Sequence, residues 1–110
     1  MRVEEVIAEI TQRCKNYGAK RIILVARICH SFCAKEVILY GSRAKGTAQE
    51  RSDIDIAVAG VASCDIYELQ EELEDIPTLY KIDLVDLDTC KNQLLLEDIK
   101  EYGREIYKEI

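Results

Sequence analysis

No stretch of this sequence approaches the roughly 20 consecutive apolar residues that a membrane-spanning helix needs, so no such helix is expected. Nor is there an excess of positive charge: 15 lysines and arginines stand against 21 acidic residues, a net charge of −6. Non-specific binding to nucleic acid needs a basic footprint, so nucleic acid is not an expected partner. The acidic surplus suits divalent cations instead. Long linkers and low-complexity tracts are missing too, and 110 residues are too few to bury two cores, so one domain over residues 1–110 is expected. Met1 to Thr11 carries three glutamates and no long apolar run, and is not read as a signal peptide. The five cysteines are odd in number and irregularly spaced. Without an export signal, they are expected as free thiols in a reducing cytoplasm.

What remains, 48% hydrophobic and 33% charged, is the composition of an ordinary globular domain. Val3, Val6, Ile7, Ile10 and Cys14 recur at helical spacing and predict a helix over 2–15, stopped at Asn16-Tyr17-Gly18. Ile22, Val25, Cys29 and Phe32 place a second helix over 19–32, although the run Ile22 to Val25 could also form a strand. Strands follow at 36–40 and at 53–60, where Ile54, Ile56 and Val58 alternate with Asp53, Asp55 and Ala57. A helix over 64–75 turns Ile66, Leu69 and Leu73 to one side, with Pro77 just beyond it. A third strand spans 80–87. A last helix spans 91–102, with Leu95, Ile99 and Tyr102 inward and Gly103 at its C-terminal stop, and a short edge strand covers 104–108. This order implies an α/β fold with a small mixed β-sheet flanked by helices. The link between the first two strands leaves their relative direction open.

Asp53 and Asp55 lie two apart on a predicted strand, so their carboxylates converge on one face. Bare, they repel and raise each other's pKa; a divalent cation turns the pair into a site. Oxygen-only ligands favour Mg²⁺ or Mn²⁺. Asp83, on a neighbouring strand, could supply a third carboxylate, and three carboxylates with triphosphate oxygens can hold two ions roughly 4 Å apart. A lone D-x-D is as often a solvated strand edge. Asp86, two residues past Leu84, is better read as a solvent-facing or capping carboxylate. Gly41-Ser42 shifts the balance, because a strand that ends in Gly-Ser before a helical turn presents N–H groups and a hydroxyl together, as a phosphate cradle. Arg43 and Lys45 add positive charge beside it.

Ten residues separate Ser42 from Asp53, giving the pattern Gly-Ser, ten residues, Asp-x-Asp. The segments Leu39 to Gly46, Ser52 to Val58 and Lys81 to Asp86 resemble, in order, the signature of the minimal nucleotidyltransferases of the polymerase-β-like superfamily. The resemblance spans residues 36 to 110. It implies the polymerase-β-like nucleotidyltransferase fold, with Gly41 and Ser42 on the triphosphate of ATP and Arg43 and Lys45 as further phosphate contacts. Asp53, Asp55 and Asp83 would ligate two Mg²⁺ ions and carry the catalysis, Asp83 also activating the acceptor. It further implies a partner, an all-helical HEPN-type protein; in the toxin–antitoxin version the transferase adds AMP to a tyrosine of that HEPN ribonuclease. The residues themselves leave the acceptor open. A small molecule such as an aminoglycoside, or silencing of a partner by binding alone, fits the same motif.

His30 lies between Cys29 and Cys33, a conceivable metal set, but buried free thiols beside a partly exposed histidine are the expected reading.

Overall fold

In the computed structural model, residues 5, 8, 20–46, 53–76 and 81–109 are described. Glu5 and Ala8 are helical; the rest of the expected helix over 2–15, with its stop at 16–18, lies outside the described residues. Helix α1 is Lys20–Ser31. Its Ile22, Val25, Ala26 and Cys29 are each fully buried, at the spacing of one helical face. That periodicity, and not the β-branched character of Ile22 and Ile23, decides the conformation here. The helix closes with Cys33 N–H donating to the His30 carbonyl (2.9 Å) and Ala34 N–H to the Cys29 carbonyl (3.3 Å). This closure puts Cys33 at φ 65°, a left-handed position that usually takes glycine.

Strand β1 (Glu36–Tyr40) runs directly into the short helix α2 (Gly41–Lys45). Strand β2 is Ile54–Ala59, followed by a 3₁₀ turn at Ser63–Asp65 and helix α3 (Ile66–Glu74). Strand β3 is Ile82–Asp86, helix α4 is Gln93–Tyr102 and strand β4 is Arg104–Lys108. The four strands form one sheet in the order β3-β2-β1-β4. β1 is antiparallel to both β2 and β4, whereas β2 and β3 are parallel. The sheet is therefore mixed, as expected, and the open question of β1 against β2 resolves to antiparallel. The crossover from β2 to β3 is long enough for a parallel connection because it contains α3.

The two sheet faces are filled differently. Val37, Leu39, Ile54, Ile56 and Val58 are all fully buried in one cluster with α1 and with Leu69 and Leu73 of α3. The other face holds a smaller cluster of Tyr40, Ala57 and Ile99, with Ile38, Val85 and Leu95 partly buried beside them. Here α4 packs, its N-terminus capped by Asn92, whose Oδ1 accepts from Leu95 N–H (3.2 Å).

Two details of α4 differ from the sequence reading. Tyr102 is not inward: it is 41% exposed, and its ring lies beneath the Lys45 ammonium. Gly103 ends the helix as expected, its N–H donating to the Ile99 carbonyl (2.8 Å), but in an extended rather than a left-handed conformation (φ −59°, ψ 146°). A Cβ there would run into the Ile99 carbonyl and the Ile38 side chain, so close approach of α4 to β1, rather than backbone twist, requires the glycine.

Candidate active site

Tyr40 pairs with Asp55 across the β1–β2 ladder, and Asp55 pairs with Asp83 across the β2–β3 ladder. Residues directly opposite in a ladder point to the same face. The three side chains therefore form one cross-strand row, on the face that α4 only partly covers. Neighbouring strands are about 4.8 Å apart, which brings the two carboxyl groups within mutual reach. The fold thus joins residues that are 28 positions apart in sequence, by register alone.

Asp53 stands just before the first residue of β2 and is exposed. Its carbonyl accepts a hydrogen bond from Arg43 Nε at 3.3 Å, which ties α2 to the entrance of β2. Among the described residues, no three acidic, histidine or cysteine side chains already converge as a ligand set for a metal. The Asp55–Asp83 pair is formed, and Asp53 adds its charge from the strand entrance.

The electrostatics of the row follow from this crowding. Burial, then the charges of Asp83 and Asp53 and a hydrogen bond with Asp83, push the Asp55 carboxyl up to about 6, with Lys81 opposing them. Lys81 Nζ lies 3.4 Å from Asp83 Oδ1. Tyr40 is pushed up to about 12, by burial first and then by Asp55, Asp83, Cys90 and Asp98. Its hydroxyl stays protonated and can donate into the row.

Gly41 supplies the second half of the site. Its φ of 73° is left-handed, and a Cβ at this position would sit on Asp55 Oδ2. Only glycine allows the start of α2 to approach that carboxylate so closely. Tyr40, at the N-cap of α2, makes no side-chain capping bond to the N–H groups there. Gly41 and Ser42 thus bring the partly positive end of α2 against the acidic row. Lys45 turns the other way along α2: its Nζ pairs with Asp98 Oδ1 of α4 at 3.0 Å and lies 4.8 Å above the Tyr102 ring.

The structure thus brings together Gly41, Ser42, Asp55 and Asp83, with Asp53 and Arg43 at the margin, and holds Lys45 against α4. Three neighbours of the site went unremarked as site residues in the sequence: Tyr40, Asp98 and Lys81. Tyr40 had a readable signal, since it immediately precedes Gly41 and shares the parity of Asp55 across a hairpin; Asp98 and Lys81 had none. Asp86 behaves as a turn carboxylate, accepting from Asp88 N–H (3.1 Å) and from Thr89 Oγ1 (3.1 Å). Asp88 in turn accepts from Gly60 N–H at 2.8 Å and fastens the loop after β3 to the end of β2.

Among the described residues, Cys29, His30 and Cys33 do not converge as a metal set. Cys29 is fully buried, and burial pushes its thiol up to about 12. His30 meets the Tyr107 ring edge-on at 5.1 Å. Cys33 is exposed, contrary to the expectation that the thiols here are buried, because its left-handed position closes the helix at the surface.

This arrangement is that of a nucleotidyl-transfer domain, and residues 27–109 match the family described as polymerase beta, nucleotidyltransferase. The chain belongs to that family. Its fold is similar to one chain of a mutant MntA–HpeT toxin–antitoxin complex (TM-score 0.64, 22% identity, 77% of this chain and 71% of the other covered). It is also similar to a toxin–antitoxin structure with AMP-PNP (TM-score 0.58, 23% identity, 93% and 73% covered). A third similar fold occurs in a complex of a tri-AMPylated Shewanella oneidensis HEPN toxin with an MNT antitoxin (TM-score 0.51, 19% identity, 96% and 71% covered). No curated protein sequence matches the chain. Among the described residues, no helix is long and apolar enough to cross a membrane.

Proposed function

We propose that this protein is a Mg²⁺-dependent nucleotidyltransferase that moves AMP from ATP onto a hydroxyl, a tyrosine, of a HEPN-type partner, and so acts as the antitoxin of a toxin–antitoxin pair. The observation that carries this reading is the contact of Gly41 with Asp55, which sets a helix start against a crowded carboxylate pair. A triphosphate needs donors for its oxygens and a neutralising charge between itself and the acidic row. Gly41 and Ser42 offer the donors through backbone N–H groups and the Ser42 hydroxyl.

Asp53, Asp55 and Asp83 would hold the metal. The donor set is all oxygen and suits hard cations, Mg²⁺ first and Mn²⁺ second. The raised pKa of Asp55 also fits, because a carboxylate that is buried first and crowded by Asp83 and Asp53 second gains from a bound cation. When bound, the ions steady the charge of the leaving pyrophosphate and make an acceptor hydroxyl easier to deprotonate. Asp83, nearest the sheet edge, takes the acceptor side of the site and draws on its hydroxyl proton. Tyr40, opposite Asp55 in the ladder, adds a protonated hydroxyl beside the row. Arg43 steadies the entrance through Asp53, and Lys45, held by Asp98 and Tyr102, braces α2 against α4.

The nature of the acceptor draws its support from similar folds: one occurs in a complex with a tri-AMPylated HEPN toxin and another with AMP-PNP. The test is incubation with α-labelled ATP, Mg²⁺ and a HEPN-type protein that binds this chain. Label on a tyrosine of the partner is expected, and none with Asp53→Asn combined with Asp55→Asn. Absence of label on a folded partner would sink the reading.

A further inference from the structure

The two edges of the sheet are built differently. β4 is blunted by exposed Arg104, Glu105 and Lys108, and its pairing with β1 shifts register between Val37 and Ile38. Charged side chains and irregular pairing are the usual protection of an edge strand. β3 lies at the opposite edge, pairs with β2 in unbroken register from Ile82 to Asp86, and carries no lysine or arginine within the strand.

The outward groups of β3 can be counted from its ladder. Ile54 N–H donates to the Lys81 carbonyl (2.9 Å) and Leu87 N–H to the Val58 carbonyl (2.9 Å). Odd-numbered residues therefore bond towards β2, and the N–H and C=O groups of Ile82 and Leu84 face outward. Beside this edge runs a groove of about 310 Å³ between α3 and β3, floored by Leu73, Ile76, Ile82 and Leu84, with Gln70 and Glu74 along the α3 side and Lys81, which pairs with Asp83, at the β3 end. α3 contributes exposed Glu68, Glu71, Glu72 and Glu74, with Asp75 next to it, and has no basic residue.

We infer that the outer edge of β3 is the docking strand for the acceptor: an extended, basic segment of a partner protein pairs its backbone with Ile82 and Leu84 and carries its hydroxyl-bearing side chain on the Asp83 face. This rests on the reading of Asp83 as the acceptor-side carboxylate. An added strand alternates its side chains between the two faces. A residue placed beside Asp83 thus sends its chain neighbours to the other face, into the groove beneath α3. There the floor accepts apolar side chains, and the glutamates of α3, with Lys81 already paired to Asp83, favour lysine or arginine over glutamate. The docking mode accordingly selects a hydroxyl flanked on both sides by apolar or basic residues.

The experiment uses a synthetic peptide with one tyrosine flanked by alternating valine and lysine, and its counterpart with glutamate for lysine. Hydrogen exchange at the Ile82 and Leu84 amides is followed without nucleotide, and AMP transfer is followed separately with Mg²⁺ and ATP. The basic peptide should slow exchange at both amides, the acidic one should not, and transfer should favour the basic peptide by roughly tenfold or more, the scale of charge complementarity at a docking surface. Glu71→Lys with Glu74→Lys should remove that preference while AMP-PNP binding and the circular dichroism spectrum stay unchanged. Exchange left unaltered by the basic peptide, or equal use of both peptides by the wild type, overturns the docking strand. Protection of the amides with no transfer to any acceptor instead overturns the proposed function and leaves the docking strand standing.

Discussion

The sheet has one face made for stability and one made for chemistry, and the contrast is visible strand by strand. Under α1 and α3, β1 and β2 present Val37, Leu39, Ile54, Ile56 and Val58, all at zero exposure. On the other face the same two strands present Tyr40 and Asp55, next to Asp83 of β3, with α4 covering only the far part. Alternation along β2 assigns its isoleucines to one face and Asp55 to the other. The charge of the second face is a cost in the absence of a ligand, and the first face has to offset it. Stability and activity should therefore respond oppositely to substitutions on the two sides.

The largest expected effect is on the acidic face. Asp55→Asn should lower nucleotidyl transfer by roughly a hundred- to a thousandfold, the scale for losing a preorganised electrostatic contact. The same change should raise the melting temperature of the metal-free protein at neutral pH, since it removes a repelled charge. A fall in both activity and melting temperature would break the contrast. Ile56→Ala, on the buried face, should do the reverse. A loss of about 2–5 kcal/mol is expected from urea unfolding, with activity per folded molecule retained.

Gly41→Ala joins the two effects, because the methyl group would meet the Asp55 carboxylate and φ would be strained. It should cost about 1–2 kcal/mol in stability from the backbone alone and weaken ATP binding as well. Measuring both on the same sample separates it from a purely structural lesion.

The pH dependence sharpens the same point. The folded pKa of Asp55, about 6, lies above its ordinary value of 3.8, so the native state holds this proton more tightly than the unfolded chain. The stability it contributes is complete below the ordinary value and is lost as pH rises through about 6. The stability of wild type relative to Asp55→Asn should therefore decline across pH 4 to 6 in chelator, and Mg²⁺ should reduce the decline. A flat difference across that range would contradict the burial and crowding of Asp55. The smallest effect is expected at Cys33: glycine there relieves the left-handed strain and should add up to about 1 kcal/mol, with no change in transfer.

Much of this architecture was legible in the chain because it rests on local periodicity. The strands at 36–40 and 53–60 and the helices over 64–75 and 91–102 follow from patterns of apolar residues that tertiary packing then uses unchanged. Gly41, Ser42, Asp53, Asp55 and Asp83 could be nominated from spacing and from a family resemblance. Their mutual placement could not, because it depends on the direction of β1 against β2 and on the register of β2 against β3, which no local pattern fixes. Lys45 was nominated as a phosphate contact from its closeness in sequence to Ser42. One helical turn carries it instead to Asp98 and Tyr102, partners on an element nearly fifty residues later. Tyr102 was misplaced for the same reason, since its exposure depends on what α2 brings to it. Gly103 does end α4, but in an extended conformation; a glycine needed for close packing and one needed for left-handed backbone look alike in sequence.

The most direct measurement is the thermal shift of the protein with Mg²⁺ and AMP-PNP, singly and together, in wild type and in Asp55→Asn. A ligand bound only by the native state raises the melting temperature, through a stabilisation that grows as RT ln(1 + L/Kd), L being the free ligand concentration. If the carboxylate row and the start of α2 form one site, the two ligands together should raise the wild-type melting temperature by several degrees more than the sum of each alone, and the variant should lose that excess. An equal rise in both proteins, or none in the wild type at saturating nucleotide, would contradict it.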